Sequence, residues 1–544
     1  NPYALPTEWY TLAENLYRAF ELTGDDRYLK FAKVWNYDRF WAPLAAKDDV
    51  FGALQQATTH RSYHAYSHVN SLSSAAMAYS ATGDKKYRDT IVNAYDFLQE
   101  TQLFATGGYG PEESLIVPNG MPETLIGIRR GAANVDVRFH FETSCGSWAG
   151  FKLGRYLMQF TGDARYGDWI ERLVYNGVGA MVPMNDYGMI MYGSSYNTYG
   201  AQKSHSTVWF CCQGSFLQTV NDYHNLIYFH DDKSLYVNLF IPSSVDWKGP
   251  GGDVHVIQQT RFPADYNVDL RIDSDEPSQF GLKFRVPLWA RDGIGIAING
   301  VPSSVEAVPG TWAEIEREWE PGDRVTLTFD MSPRLEPAPG CVSPVAVLCG
   351  PVVMAQATAR QSAHQLPAMG ALRIPADYSE IGGEARINPA RNLHTNQEFR
   401  PFYEIGIGEF YRMYFNRDGR TDIPIDELEF QGNWEVRDAK SYSNEQDSGF
   451  SAEFSGTAIE WLGMRHDNAG IATVKIDGKH VEDVDQYCYG DVHVGRMDQR
   501  KVPFRWSAAD LSPGKHTIEV TVSGRKNDDS SGSIINVSGL AVYR

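Results

Sequence analysis

One arrangement of apolar and polar positions recurs three times in the first third of the chain. Leu12, Leu16, Ala19 and Phe20 share a helical face, a polar phrase follows, Thr23-Gly24-Asp25-Asp26-Arg27-Tyr28, and then Tyr28, Phe31, Ala32 and Trp35 resume the helical period. The phrase returns as Thr82-Gly83-Asp84-Lys85-Lys86-Tyr87 after Leu72, Ala75, Ala76 and Tyr79. It returns again as Thr161-Gly162-Asp163-Ala164-Arg165-Tyr166, between Leu153, Tyr156, Leu157, Phe160 and Tyr166, Trp169, Ile170, Leu173. The glycine is placed to end one helix in a left-handed conformation, and the aspartate to cap the next. Each phrase therefore predicts the tip of a helical hairpin, and hairpins in series predict a toroid or solenoid.

The period changes near residue 235. Leu235-Tyr236-Val237-Asn238-Leu239-Phe240-Ile241 is a β run, followed by alternating stretches such as Leu282-Phe284-Val286 and Val325-Leu327-Phe329, with a hairpin turn at Asn299-Gly300. The expected organisation is a helical-hairpin unit over 1–234, an antiparallel β-sandwich over 235–356, an irregular linker over 357–425, and a jelly-roll over 426–544. The linker carries an aromatic patch at Phe402, Tyr403, Tyr411 and Tyr414. The last unit has a turn at Asp477-Gly478 and closing strands around Ile518-Val520-Val522 and Leu540-Ala541-Val542-Tyr543. A closed toroid needs six hairpins and three are legible. The others are cryptic, belong to a removed N-terminal part, or come from a second chain or another copy.

Composition narrows the function classes. The 544 residues carry a formal charge of −19, from 49 basic and 68 acidic side chains, which argues against nucleic acid as a partner. No apolar run is long enough to span a membrane. Aromatic residues make up 13%, as sugar-binding surfaces and large cores both require. The single sequon, Asn536-Val537-Ser538, is what chance supplies.

The six cysteines do not form a disulfide framework. Cys341 and Cys349 are free to pair or not, and Cys488 reads as a small core side chain. Cys211 and Cys212 are adjacent and cannot easily bond to each other. With Cys145 and Glu142 they make three thiolates and a carboxylate, the donor set of a four-coordinate Zn2+ site. A metal-bound thiol is deprotonated, so such a site supplies a nucleophile as readily as a structural brace.

The order of these phrases resembles the β-L-arabinofuranosidase group of glycoside hydrolases, families 127 and 146 and their relatives. The shared phrases are His64-Ala65-Tyr66-Ser67-His68, Gly107-Gly108 with Glu113, Glu142-Thr143-Ser144-Cys145, Phe210-Cys211-Cys212-Gln213-Gly214, Leu235 to Pro242 and Gly350-Pro351. The resemblance covers about residues 5–355 and implies an (α/α)6 toroid followed by β-sandwich domains. Here Glu142 stands three residues before Cys145, one more than is usual in the group. Positions i and i+3 of a helix still share a face, so Glu142 stays among the expected ligands.

The resemblance implies that Cys211 is the nucleophile and Glu113 the acid/base, with Glu112 its neighbouring rival. It places sugar binding at His64 and His68; Tyr192 and His205, and more weakly His60 and Trp209, are candidates for the same pocket. Tyr109 and Trp148 offer stacking surfaces or core packing. The reading is a retaining exo-glycosidase that removes a terminal furanose, by default β-L-arabinofuranoside, from an oligo- or polysaccharide in a secreted, extracellular or periplasmic setting. Two alternatives stay open: a polysaccharide lyase on the same scaffold, and a non-catalytic glycan-binding protein with structural zinc. The Phe454-to-Trp461 strand resembles strands of carbohydrate-binding sandwiches.

Overall fold

The computed structural model describes residues 8–55, 63–358, 391–392, 397–488, 493–494, 497–498 and 503–544, apart from positions 119, 127, 131, 132, 136, 199 and 418. Three hairpins form where the repeated phrase stands: Ala13–Thr23 with Asp26–Val34, Ala65–Thr82 with Lys85–Thr101, and Thr143–Thr161 with Tyr166–Arg172. Gly24, Gly83 and Gly162 take φ of 68°, 67° and 69°, and their N–H groups close the preceding helices. Asp25, Asp84 and Asp163 accept the N–H of Arg27, Lys86 and Arg165 at 2.9, 3.1 and 3.0 Å. The threonine also takes part. Its hydroxyl donates to the carbonyl four residues back (Ala19, Ala78, Leu157) and accepts the N–H of the aspartate.

Ala65–Thr82 and Thr143–Thr161 are buried along most of their length and pack against one another. Gly146, Gly150 and Gly154 face close neighbours. A Cβ there would come within 2.3, 2.4 and 2.8 Å of Phe141, Leu173 and Ile170. This glycine stripe brings the central helix close to its hairpin partner. On the same helix, buried Lys152 donates to Glu14 and to Asn70 Oδ1 (3.0 Å), tying three helices together. Cys211–Asp222 adds a further helix against Thr143–Thr161.

The β-sandwich is as expected in kind. One sheet comprises Ser243–Gly249, Gly252–Thr260, Asn267–Ser274, Arg324–Thr328, Gly295–Ile298 and Val301–Pro302. The other comprises Trp312–Trp319, Ser278–Arg285, Ser234–Val237 and Tyr228–His230, in which Ser234–Val237 runs parallel to its neighbour. Val256, Leu270, Phe284, Trp319 and Leu327 fill the space between them. Arg285, fully buried, reaches out of the sandwich to Asp168 (2.9 Å) and Glu171 (2.7 Å) of the third hairpin.

The expected linker is different. Residues 359–390 lie outside the described residues, but Gln397–Pro401, Phe410–Arg412 and Tyr414–Phe415 are strands. They join Pro333–Pro337, Val345–Cys349 and Val352–Thr358 in a sheet whose edge takes in Ala201–Gln202 of the helical region. Tyr411 and Tyr414 are buried in that contact, Tyr414 accepting the N–H of Ala105. The sandwich core accordingly ends near Met331 and not at 356. Alternation failed to reveal these strands because they are short and because neighbours such as Tyr411 and Arg412, or Tyr414 and Phe415, are buried in succession.

Two facing antiparallel sheets build the C-terminal unit around Trp461, Phe450, Ile459 and Val520. Asn536 of the sequon is fully buried and bonded to Gln486 and Met464, so it offers no acceptor in the folded chain. No disulfide joins any of the six cysteines, so Cys341 and Cys349 do not pair with each other. Among the described residues no helix is long and apolar enough to cross a membrane.

Candidate metal centre and active site

The N-termini of two packed helices meet at one point. Cys145 lies in the first turn of Thr143–Thr161, and Cys211 and Cys212 open Cys211–Asp222. Thr219 ties the second helix to the first by donating to the carbonyl of Ser144 (3.1 Å). Both helix dipoles present their positive ends to the sulfurs, which favours thiolate. Glu142 precedes the first helix on the short strand Phe141–Glu142, paired with Gly193–Ser194. The helical face expected to join Glu142 to Cys145 is therefore not how they meet. The carboxylate arrives from the extended residue at the helix N-cap.

The four groups close into a cluster. Cys145 Sγ lies 3.6 Å from Cys211 Sγ and 3.4 Å from Cys212 Sγ, and Glu142 Oε1 lies 3.2 and 3.3 Å from the sulfurs of Cys211 and Cys212. A tetrahedral ion with Zn–S bonds of about 2.3 Å sets neighbouring sulfurs roughly 3.8 Å apart. The observed edges are close to that size. Glu142 Oε2 is buried without a hydrogen-bond partner, and three uncrosslinked thiols crowd around one carboxylate. Such a donor set fits a thiophilic cation. Burial drives the Glu142 carboxyl well above its ordinary range, with the Cys211 charge adding to it. Hydrogen bonds from Cys145 and Cys212 hold the Cys211 thiol far down, while the bonds Cys145 makes to Cys211 and Cys212 push Cys145 up. Cys211 is thus the group that carries the charge, and it alone of the six cysteines is exposed.

Glu113 sits across the site on the turn Pro111–Glu113, where Glu112 and Glu113 both take positive φ, 48° and 63°. This costly conformation splits the two carboxylates. Glu112 is turned to Arg138, accepting its backbone N–H at 2.5 Å and its guanidinium at 2.9 Å. Glu113 points inward and accepts the hydroxyl of Tyr192. His64 joins acid to cluster, its Nε2 standing 3.8 Å from Glu113 Oε2 and 3.8 Å from Glu142 Oε2. Burial lowers the His64 pKa, so the ring is neutral near pH 7.

The other candidates divide. Tyr192 belongs to the site, between Glu113 and the ring of Phe210. His68 does not share a face with His64, because His64 is the helix N-cap. The His68 ring is buried among Tyr10, Tyr37, Phe40 and Tyr63, with Nδ1 on the His64 carbonyl (2.7 Å) and Nε2 on Tyr37 (3.1 Å). His205 is half-buried and its Nε2 contacts the carbonyl of Pro183 (2.8 Å). His60 lies outside the described residues. Tyr109 is core, bonded to the carbonyl of Gly146; Trp148 lies under the Lys152 ammonium. Sequence reasoning missed Glu8. Its Oε1 lies 3.9 Å from His64 Nδ1, and burial, with the charges of Cys211 and Glu113, raises its pKa to about 7. No local pattern marks it.

Residues 3–225 match the family model described as "Beta-L-arabinofuranosidase, GH127 catalytic domain", and residues 234–331 match "Beta-L-arabinofuranosidase, GH127 middle domain". Together they cover more than half of the chain. The chain belongs to the GH127 glycoside hydrolases. Solved structures share the fold. The GH127 β-arabinofuranosidase BT3674 is 21% identical, over 75% of this chain and 68% of that one, with a TM-score of 0.53. Ara127N-Se, a GH127 β-L-arabinofuranosidase from Geobacillus stearothermophilus T6, is 16% identical over 97% of this chain and 70% of its own, TM-score 0.51. A further glycoside hydrolase is 16% identical over 74% of each chain, TM-score 0.53. No curated protein matches this chain. As a glycoside hydrolase, this GH127 member is an enzyme acting on carbohydrate, which sets aside the lyase and the non-catalytic binding protein.

Proposed function

We propose that this enzyme releases terminal β-L-arabinofuranosyl residues from glycans with net retention, using Cys211 as nucleophile and Glu113 as acid/base. The observation that carries the reading is one exposed thiol in an otherwise buried thiol–carboxylate cluster, with His64 standing between that cluster and Glu113. The identity of the sugar rests on the family description and on the names of two similar structures.

Glu142, Cys145, Cys211 and Cys212 would hold a zinc ion. When bound, such an ion keeps its thiol ligands deprotonated. The remaining chemistry belongs to the chain. Cys211 Sγ forms a bond to the anomeric carbon as the glycosidic C–O bond breaks, and Glu113 gives its proton to the departing oxygen. The thioglycoside then yields to a water that loses a proton to Glu113; the C–S bond breaks and the thiolate returns. Two displacements restore the starting configuration. Tyr192 aims Glu113 through its hydroxyl, and neutral His64 and exposed Glu8 offer partners to sugar hydroxyls. Action on a glycan polymer suits a secreted or periplasmic enzyme.

Proton NMR of the sugar first released from an aryl β-L-arabinofuranoside tests the reading. The β-anomer is expected before mutarotation; the α-anomer appearing first contradicts it.

A further inference from the structure

Five large apolar side chains stand exposed on two short segments beside this site: Met184 (51%), Tyr187 (83%), Val208 (52%), Trp209 (66%) and Phe210 (42%). Proteins seldom leave so much apolar surface in one place without a use for it. The segments are held edge to edge. His205 Nε2 bonds the carbonyl of Pro183 (2.8 Å), the Ser206 N–H bonds the carbonyl of Ile190 (2.8 Å), and Gln213 Nε2 donates to Ser206 Oγ (2.9 Å). Asn185 shapes the first segment by accepting the N–H groups of Tyr187 (3.0 Å) and Met189 (2.9 Å). Gly188, at φ 73°, lets the Trp209 ring lie beside the turn, 3.4 Å from where a Cβ would stand. Phe210 turns inward, its ring centroid 4.6 Å from that of Tyr192, and Tyr192 donates to Glu113. Exposed Trp209 is thus the chain neighbour of a Phe210–Tyr192 ring pair that ends at the acid/base.

We propose that Trp209 and Phe210, with Tyr187 at the rim, form the subsite for the leaving-group sugar, the residue beyond the bond that is cut. The proposal rests on the assignment of Cys211 and Glu113 above. In an in-line displacement the nucleophile and the leaving oxygen occupy opposite sides of the anomeric carbon, so the leaving group lies on the side of Glu113. The wall on that side is Tyr192 backed by Phe210. A sugar ring has an apolar C–H face that an exposed indole desolvates, while its hydroxyl edge stays in water. An amphipathic aromatic platform, part covered and part wet, suits that face. His205, expected to touch substrate, here fixes the platform in place by pinning Pro183.

The test compares methyl β-L-arabinofuranoside, which has almost no leaving group to stack, with a disaccharide carrying the same terminal sugar. Trp209→Ala is expected to lose about tenfold in kcat/KM on the disaccharide, mainly through KM, and about twofold or less on the methyl glycoside, the tenfold loss corresponding to about 1.4 kcal/mol. Trp209→Phe should recover most of that loss. Tyr187→Ala, at the most exposed position, should shift the disaccharide in the same direction even if Trp209→Ala folds poorly. Equal losses on the two substrates, or no loss on the disaccharide, overturn the subsite. So does a loss of self-association in Trp209→Ala with both substrates equally affected, which would make the patch a contact between copies. Failure of the unaltered enzyme on both substrates overturns the underlying sugar assignment, and the subsite falls with it.

Discussion

At the residue scale, two adjacent cysteines carry most of what was legible. Their donor chemistry, joined to that of Cys145 and Glu142, is that of one ion's ligand set, and the structure gathers all four residues. The acid is less legible. Glu112 and Glu113 are equivalent in sequence, and only the left-handed turn separates them, giving one to Arg138 and the other to Tyr192. Glu113→Gln should therefore slow poor leaving groups by roughly a hundredfold or more while aryl leaving groups of low pKa suffer less, as loss of a general acid requires. Glu112→Gln should leave that slope unchanged. A plot of rate against leaving-group pKa checks both. Glu8 and Tyr192 meet the site through contacts distant in sequence, which periodicity cannot see. His68 misled because helical spacing is a statement about residues inside a helix, and His64 stands just outside it.

At the element scale, the Thr-Gly-Asp phrases announced their hairpins because capping is local chemistry. The strand that delivers Glu142 had no such signal, being two residues long. It depends on His140, fully buried just before it, whose Nδ1 accepts the N–H of Tyr196 (3.0 Å) and whose Nε2–H meets the carbonyl of Thr124 (3.0 Å). Burial lowers the His140 pKa to about 4. The unfolded chain binds a proton near pH 6.5 and the folded chain does not, so this ring's contribution is complete above pH 6.5 and is lost as pH falls towards 4. The loss is on the order of 3 kcal/mol from this group alone. Urea midpoints between pH 4 and 7 should fall steeply on the acid side, and His140→Gln should flatten that fall. Parallel curves for the two proteins would contradict it.

At the scale of the whole molecule, class and order were legible: a helical region first, β-rich units after. The boundaries were not. The stretch expected to be a linker supplies strands to a sheet that leans on the helices, and pairings between distant short segments leave no periodic trace. The β units also brace the catalytic region, through Arg285 on Asp168 and Glu171 and through Arg505, held by Glu460 of its own unit, on Glu123. The cluster itself lies where two central helices begin, so a metal ion held there would tie them together. Removing it with a strong chelator should abolish turnover and lower the melting temperature together, because metal-binding energy is in part folding energy. Restoring zinc should return both; activity lost at an unchanged melting temperature would contradict the bracing role.

The most direct measurement is of the covalent bond. Enzyme quenched in acid during turnover of a fast aryl β-L-arabinofuranoside, then digested and read by mass spectrometry, should carry one pentosyl group on the peptide holding Cys211 and Cys212, with fragmentation placing it on Cys211. Cys211→Ala should carry none and turn over nothing. A pentosyl ester on Glu113 or Glu142, or full activity in Cys211→Ala, would contradict the account.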